Sequence, residues 1–348
     1  MSDDAQLEHA LPHAVIRARM VAITGDERWR QLRRRLIAGG KSNLTFEVSS
    51  AAGSVILRRP PTGARLPSAH DMAREARVQA ALAATPTPVP RILYVDASGE
   101  DLGVPYYVME KVEGLVIRDR FPAGYADSPA RRRAVARALV DTLGVLHSTD
   151  PRSIGLGDFG RPAGFMERQV RRWTSQWDQS RTKDVSVVDE LIERVRSMRF
   201  GPGRPSLVHG DFRLDNCLID NHEVGRVNAV LDWELATLGD PLADLSMLLF
   251  YWVGPGEPVP ALTPAITALP GFPSRAEVAD QYASITGADL DSFLSYVAFA
   301  HLKFAVIAAG IARRADAGAM AGQEFGDLSG EVERIASAGL DLLRHKEI

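Results

Sequence analysis

The stretch "SLVHGDFRLDNCLIDN", Ser206 to Asn221, decides how this chain is read. Leu207 and Val208 read as the end of one buried strand and Cys217, Leu218 and Ile219 as another, which leaves His209 to Asn216 as a tight polar loop between them. Asp211 and Asn216 lie five residues apart on that loop, and Asp232 follows sixteen residues after Asn216, in the strand-like "NAVLDWE" of Asn228 to Glu234. An aspartate alone in a loop is most often a turn former or a helix cap. Two oxygen donors on one loop, with a carboxylate at the end of a further strand as the third donor, instead suit a hard cation such as Mg²⁺ shared with the phosphates of a substrate.

Composition narrows the setting. The 348 residues are 45% hydrophobic and 24% charged, enough for a large core and for two lobes. A net charge of -3 offers no electrostatic case for nucleic acid as a partner. The single cysteine, Cys217, sits in an apolar strand context, where a thiol serves as a small hydrophobe. The start, "MSDDAQLEHALPHAV", is acidic and lacks the features of a signal peptide, and no stretch approaches the roughly 18 consecutive apolar residues of a membrane span. A cytoplasmic protein with no membrane partner is the expectation.

Around the loop, the chain changes texture once. Ala14 to Leu36 carries apolar residues at helical spacing and is expected to stop near Gly39 and Gly40. Leu44, Phe46 and Val48 then alternate, "AAG" turns the chain, and "SVILRRP" returns as the second strand of a hairpin closed at Gly53. "HDMAREARVQAALAA" reads as a helix, and "VPRILYVD" and "PYYVMEKV" as two more strands. From Pro129 the pattern is mainly helical, interrupted by the polar loop and its strands, and the tail from Val278 to Arg344 is helical and Ala-rich. The expected fold is therefore α+β and bilobal: a small β-rich lobe with a leader helix over residues 1–113 and a larger, mainly helical lobe over 114–348.

The spacing D-x-x-x-x-N is that of the protein-kinase catalytic loop, in which the Asp takes the proton of the attacking hydroxyl and the Asn holds a metal ion. "LVHGDFRLDNCLID" followed by "AVLDWELATLGDPLADL" resembles the aminoglycoside phosphotransferase family, whose fold is similar to that of protein kinases. The resemblance runs through "GGKSNLTFEV", "VILRRPP", "REARVQAAL", "PYYVMEKVEG" and "LGVLHSTDP", from about Leu36 to Asp244. "LRRPP", "GLGDFGRPAGFMERQVRRW" and "DWELATLGDP" bring it nearest to the kinase-like N-terminal domain of certain acyl-CoA dehydrogenases.

The resemblance implies a role for each matched position. Asp211 would be the catalytic base, or the group that orients the acceptor hydroxyl, and Asn216 and Asp232 would be metal ligands. His209 would pack the loop. Arg213 would contact phosphate or substrate, with a salt bridge to Asp215 as the equal alternative. Gly40 and Ser42 in "AGGKSNLTF" would present backbone N–H groups to phosphates. Arg58 stands where the family has a lysine; a guanidinium can clamp phosphate oxygens and keeps its charge. Glu75 would pair with Arg58. Met109 would line an adenine pocket in which the backbone of Glu110 and Val112 forms the hydrogen bonds. Asp240 and Asp244 read as supports, with Asp244 capping a buried helix while bracing the loop.

The activity so implied is ATP-dependent transfer of the γ-phosphate to a hydroxyl of a small molecule, with Mg²⁺ as cofactor. Aminoglycosides are polycations and need an acidic pocket, whereas Arg161 to Arg172 is rich in arginine. An anionic or amphipathic hydroxylated acceptor is expected instead, and the resemblance to the acyl-CoA dehydrogenase branch implies a hydroxyacyl-CoA. "RQVRRWTSQW" reads as a helix that packs Trp173 and Trp177 inward, or as a wall of the acceptor site. The alternatives are an aminoglycoside-modifying kinase and a kinase-like module that binds nucleotide without transferring phosphate, the latter favoured by Arg58.

Overall fold

Gly25, and not the pair at Gly39 and Gly40, ends the leader helix. The computed structural model describes residues 3–37, 43–61, 71–181, 184–201, 203–260, 262–316 and 328–346. It begins with two helices, α1 (Asp3–Ala10) and α2 (His13–Thr24). Gly25 adopts the left-handed conformation (φ 67°) and its N–H closes on the Val21 carbonyl at 2.8 Å, a helix stop that a glycine makes without a Cβ clash. Asp26 then caps a short 3₁₀ turn by accepting the Arg28 N–H at 2.9 Å, and Arg33–Leu36 forms a strand, β1. The single helix expected from Ala14 to Leu36 is thus a helix, a turn and a strand. Its helical spacing is mimicked because Ile16, Met20, Trp29 and Leu32 all enter one core across the turn.

Two compact units make up the chain: Met1–Gly114 with Asn228–Ala236, and Leu115–Val227 with Thr237–Ile348. In the first, β2 (Leu44–Ser50), β3 (Gly53–Arg59), β4 (Ile92–Asp96) and β5 (Tyr106–Glu110) join β1 in an antiparallel sheet of order β1-β2-β3-β5-β4. Strand alternation divides the side chains between two faces. Phe46, Val48, Val55, Leu57, Tyr106 and Val108 pack with residues of the leader helices, while Ile56, Tyr107 and Met109 pack with Met72 and Ala76 of α3 (Met72–Leu82). Asp71 caps α3 by accepting the Arg74 N–H at 2.9 Å. The late segment is fastened to this unit by hydrogen bonds from Val230 N–H to the Pro88 carbonyl (2.8 Å), from Arg74 to the Ala236 carbonyl (3.2 Å) and from Asn228 to the Glu113 carbonyl (3.0 Å).

The second unit contains β6 (Leu115–Val116), α4 (Pro129–Ser148), α5 (Phe165–Ser180), α6 (Ser186–Ser197), β7 (Ser206–Val208) and β8 (Cys217–Ile219). After β9 (Val227–Val230), where the chain passes into the first unit, come β10 (Thr237–Gly239), α7 (Pro241–Phe250), α8 (Arg275–Thr286), α9 (Phe293–Asp316) and α10 (Leu328–His345). Strand β7 pairs with β10 and β8 pairs with β6, so the His209–Asn216 loop leads from one ladder to another and is anchored at both ends. Helix α9 packs against α10, α7, α5 and α6. By length and composition Phe293–Ala315 could cross a membrane, which the sequence reading did not credit; 67% of that apolar window is buried inside the unit, as in a core helix.

The first unit depends on its sheet face closing over the leader helices. Leu57→Ala, at a site 1% exposed, should cost about 2–5 kcal/mol in denaturant unfolding, the range for a leucine deleted from a packed core. A loss well under about 1 kcal/mol would mean that the face collapses around the missing side chain.

Candidate functional site

Asp244 organises the polar loop in the second unit. It lies one turn inside α7, and the helix cap is Asp240, whose carboxylate accepts the Leu242 N–H at 3.1 Å and the Tyr296 hydroxyl at 2.6 Å. The capping expected of Asp244 therefore belongs to Asp240, because a residue within the first turn has its side chain free to face outward from the helix start. Asp244 instead accepts the backbone N–H groups of His209 and of Gly210 (2.8 Å), and His147 Nε2 stands 3.2 Å from it. Burial pushes its carboxyl upward, but His147 and His209 and the loop N–H outweigh it and hold it below the usual carboxylate range. Gly210 turns the loop at φ 89°, where a side chain would be strained.

On this braced turn Asp211 and Asn216 meet. The Asn216 amide nitrogen donates to the Asp211 backbone carbonyl at 2.8 Å and to its carboxylate Oδ2 at 3.0 Å. The Asp211 side chain is 27% exposed. Arg213 Nε lies 3.0 Å from Asp215 and 3.4 Å from Asp211, so the salt bridge to Asp215 is formed and extends to the loop's other acid. The buried His209 ring stands edge-on to Phe212 and accepts the Asp211 N–H at 3.3 Å.

Two further groups at this loop escaped the sequence reading. The Tyr251 hydroxyl donates to Asp211 Oδ1 at 3.3 Å. Lys303 Nζ donates to the Gly210 carbonyl at 3.2 Å, and burial lowers its pKa against the pull of Asp211 and Asp244. Lys303 had a signal: a lone ammonium in the apolar run "VAFAHLKFAVIAAG" needs a partner. Of the two tryptophans on α5, Trp177 is fully buried and donates to Asp189 at 2.9 Å. Trp173 is half-buried with Arg172 and Lys303 each 5.7 Å from its ring, so only one of the pair is a core residue.

In the first unit a second charged group forms around Arg58. Its Nη2 lies 2.9 Å from Asp232 and 3.0 Å from Glu75, and its Nε is buried without a hydrogen bond among the described residues. Glu75 accepts the Tyr107 hydroxyl at 2.9 Å, Gln79 donates to that hydroxyl at 3.0 Å, and Asn43 donates to Glu75 (3.4 Å) and Glu234 (3.2 Å). Asn43, Tyr107 and Glu234 were not singled out in the sequence. Asp232 sits at φ 66°, uncommon for a residue with a side chain. Burial drives the Glu75 carboxyl up to about 7, opposed by Arg58 and reinforced by Asp232 and Glu234. Arg58 stays charged: burial works against it, yet Glu75, Tyr107 and Asp232 prevail and raise its pKa.

The remaining expected residues are placed as follows. Met109 is buried with Ile56 and Tyr107. The Glu110 N–H is taken by the Arg91 carbonyl at 2.9 Å, which leaves that residue only its carbonyl to offer, while the Val112 N–H has no hydrogen-bond partner among the described residues. Gly40 and Ser42 lie outside the described residues. No group of three or more His, Cys, Asp or Glu side chains suited to a metal ion occurs among the described residues.

Relatives and solved structures of the kinase-like phosphotransferase class match this chain. Residues 33–278 match the model of the phosphotransferase enzyme family (APH), and the chain belongs to that family. Acyl-CoA dehydrogenase family member 11 of Rattus norvegicus is 37% identical over 309 residues, which are 88% of this chain and 39% of that protein, so the chain spans about two fifths of this relative. A crystal structure of a candidate aminoglycoside phosphotransferase from Ralstonia eutropha superimposes with a TM-score of 0.81 at 29% identity, over 95% of this chain and 98% of that one. The aminoglycoside phosphotransferase APH(4)-Ia, in ternary complex with ADP and hygromycin B, shares the fold alone at a TM-score of 0.59 and 16% identity, over 93% and 98% of the two chains.

The raised Glu75 pKa has a sign that can be measured. Between about 4.5 and 7 the folded protein holds a proton that the unfolded chain has released, so this stabilisation is present below that window and is lost as pH rises through about 7. Glu75→Gln removes the titration. Its melting temperature relative to wild type should climb as pH is raised across the window, and parallel curves would show that Glu75 titrates as in the unfolded chain.

Proposed function

We propose that this chain transfers the γ-phosphoryl group of ATP to a hydroxyl of a small molecule that is anionic or carries an acyl chain. The observation that carries the reading is the hydrogen-bonded Asp211–Asn216 pair on a turn whose backbone is gripped by the buried Asp244. A carboxylate so held and partly exposed can orient an acceptor hydroxyl and take its proton, work that contributes typically about 10²–10⁴-fold. Arg58 fits a phosphate clamp, since its buried Nε has a proton to donate. The Glu110 carbonyl and the Val112 N–H are the backbone groups left for adenine.

The donor chemistry fits Mg²⁺. In the second unit Asn216, its nitrogen committed to Asp211, has an amide oxygen to offer, and in the first unit Asp232 has a carboxylate; each is a donor of the type that Mg²⁺ takes beside phosphate oxygens and water, as the family resemblance implies. Bound there, the ion would neutralise charge on the transferred phosphoryl group. Arginines at Arg161, Arg168, Arg171 and Arg172 support an anionic acceptor over a polycation, and relatives named for acyl-CoA chemistry support a hydroxyacyl-CoA. A second reading, a module that binds nucleotide without transfer, is favoured by one observation: Arg58 replaces the lysine and is already engaged by Asp232.

Two experiments test the proposal. Millimolar MgATP should raise the melting temperature by mass action, about 2.7 kcal/mol at one hundred times the dissociation constant, and ADP release should respond to a hydroxyacyl-CoA more than to kanamycin. No thermal shift would sink the reading, and efficient kanamycin phosphorylation would replace the acceptor. Asp211→Asn should lower turnover at least about 10²-fold with nucleotide affinity nearly unchanged, whereas Asp232→Asn should weaken Mg²⁺-dependent ATP binding as well. The reverse pattern would exchange the two roles.

A further inference from the structure

Helix α7 and the residue that caps its C-terminus each touch the catalytic loop. Asp244, in its first turn, holds the backbone of His209 and Gly210; Tyr251, seven residues on and immediately after Phe250, holds the Asp211 side chain. Positions i and i+7 share a face of a helix and lie about 10 Å apart along it. One rigid element therefore sets both where the loop runs and how its carboxylate is turned.

We propose that Tyr251 is a positioning residue for phosphoryl transfer, its phenol fixing the Asp211 carboxylate in the orientation from which it engages the acceptor hydroxyl. This rests on the reading of Asp211 given above. Asp211 Oδ2 is held by Asn216 at 3.0 Å, and Tyr251 supplies the contact to Oδ1 at 3.3 Å. Without it the carboxylate can pivot about the Oδ2 contact. The distance is long for an O–H···O bond, as such bonds often are before substrate tightens them.

The ring itself has little freedom to move. The Arg213 guanidinium covers it 4.9 Å from its centre, Phe304 of α9 stands perpendicular at 5.5 Å and Phe250 packs at 5.9 Å. Burial and the nearby carboxylates of Asp211 and Asp215 push the phenol far above its ordinary range, against Arg213, so it remains a donor throughout the working pH range. A pinned ring argues against the opposite role, in which the phenol stands in for the acceptor hydroxyl and swings away when substrate arrives.

The test measures ADP release from MgATP by the full chain, with a pool of hydroxylated probes (3-hydroxybutyryl-CoA, lactate, glycerol and kanamycin) and with water alone. Tyr251→Phe keeps the ring and its packing. It should lower kcat about 10-fold or more with the KM for MgATP and the melting temperature unchanged, while Asp211→Asn loses at least about 10²-fold. Tyr251→Phe turning over at the wild-type rate while Asp211→Asn fails would overturn the proposal and leave the reading of Asp211 intact. A faster Tyr251→Phe would assign the phenol the opposing, hydroxyl-mimicking role, and a parallel loss of ATP affinity would reduce it to packing. If wild type releases no more ADP than Asp211→Asn, the phosphotransfer reading falls and takes the proposal with it.

Discussion

The buried carboxylate of Asp244 is the constraint on which the rest of the loop depends. A charge taken out of water must find partners, and here the partners are His147, itself bonded to Tyr282 at 2.7 Å, and two backbone N–H groups of the turn. Those N–H groups have no ladder to join, since β7 ends at Val208 and β8 begins at Cys217. Each side thus answers the other's unmet need. Removing the carboxylate would strand two donors and a histidine at once, which is why such groups behave as a unit.

The first unit solves a related problem with the opposite balance of charge. Glu75 and Asp232 share one guanidinium, Asn43 links Glu75 to a third acid, Glu234, and Tyr107 donates to Glu75. Burial, reinforced by the neighbouring acids Asp232 and Glu234, explains why Glu75 holds its proton unusually well, while the carboxylates of Glu75 and Asp232 keep Arg58 charged. An arrangement short of positive charge is one that a bound cation relieves.

Much of this was legible from local pattern. Alternation in Leu44 to Val48 gave the hairpin, and the change from apolar to polar at His209 gave the loop, because both signals depend on near neighbours in sequence. Arg58 and Glu75 could be paired only through the family resemblance, and the structure brings them to 3.0 Å. Ala14 to Leu36 misled, since apolar spacing survives a tight turn when both sides enter one core. Tyr251 and Lys303 stayed hidden for a different reason: each acts on the loop from 40 and 93 residues away, and no local periodicity reports such a contact. Asp244 was assigned to the loop correctly but to the cap wrongly, because two aspartates near one helix start, at 240 and 244, cannot be told apart by spacing alone.

The path of the chain has a consequence for the order in which it is made. Residues 115–227, a run of 113, are synthesised between the sheet of the first unit and the segment Asn228–Ala236 that completes it. That segment brings the buried Trp233 and the carboxylate that pairs with Arg58. When only Met1 to Gly114 have been released, Arg58 has Glu75 but not yet Asp232, and the Pro88 carbonyl still waits for Val230. The small unit therefore reaches its final form late, after much of the helical unit has left the ribosome, and its last step of assembly is also the one that delivers Asp232.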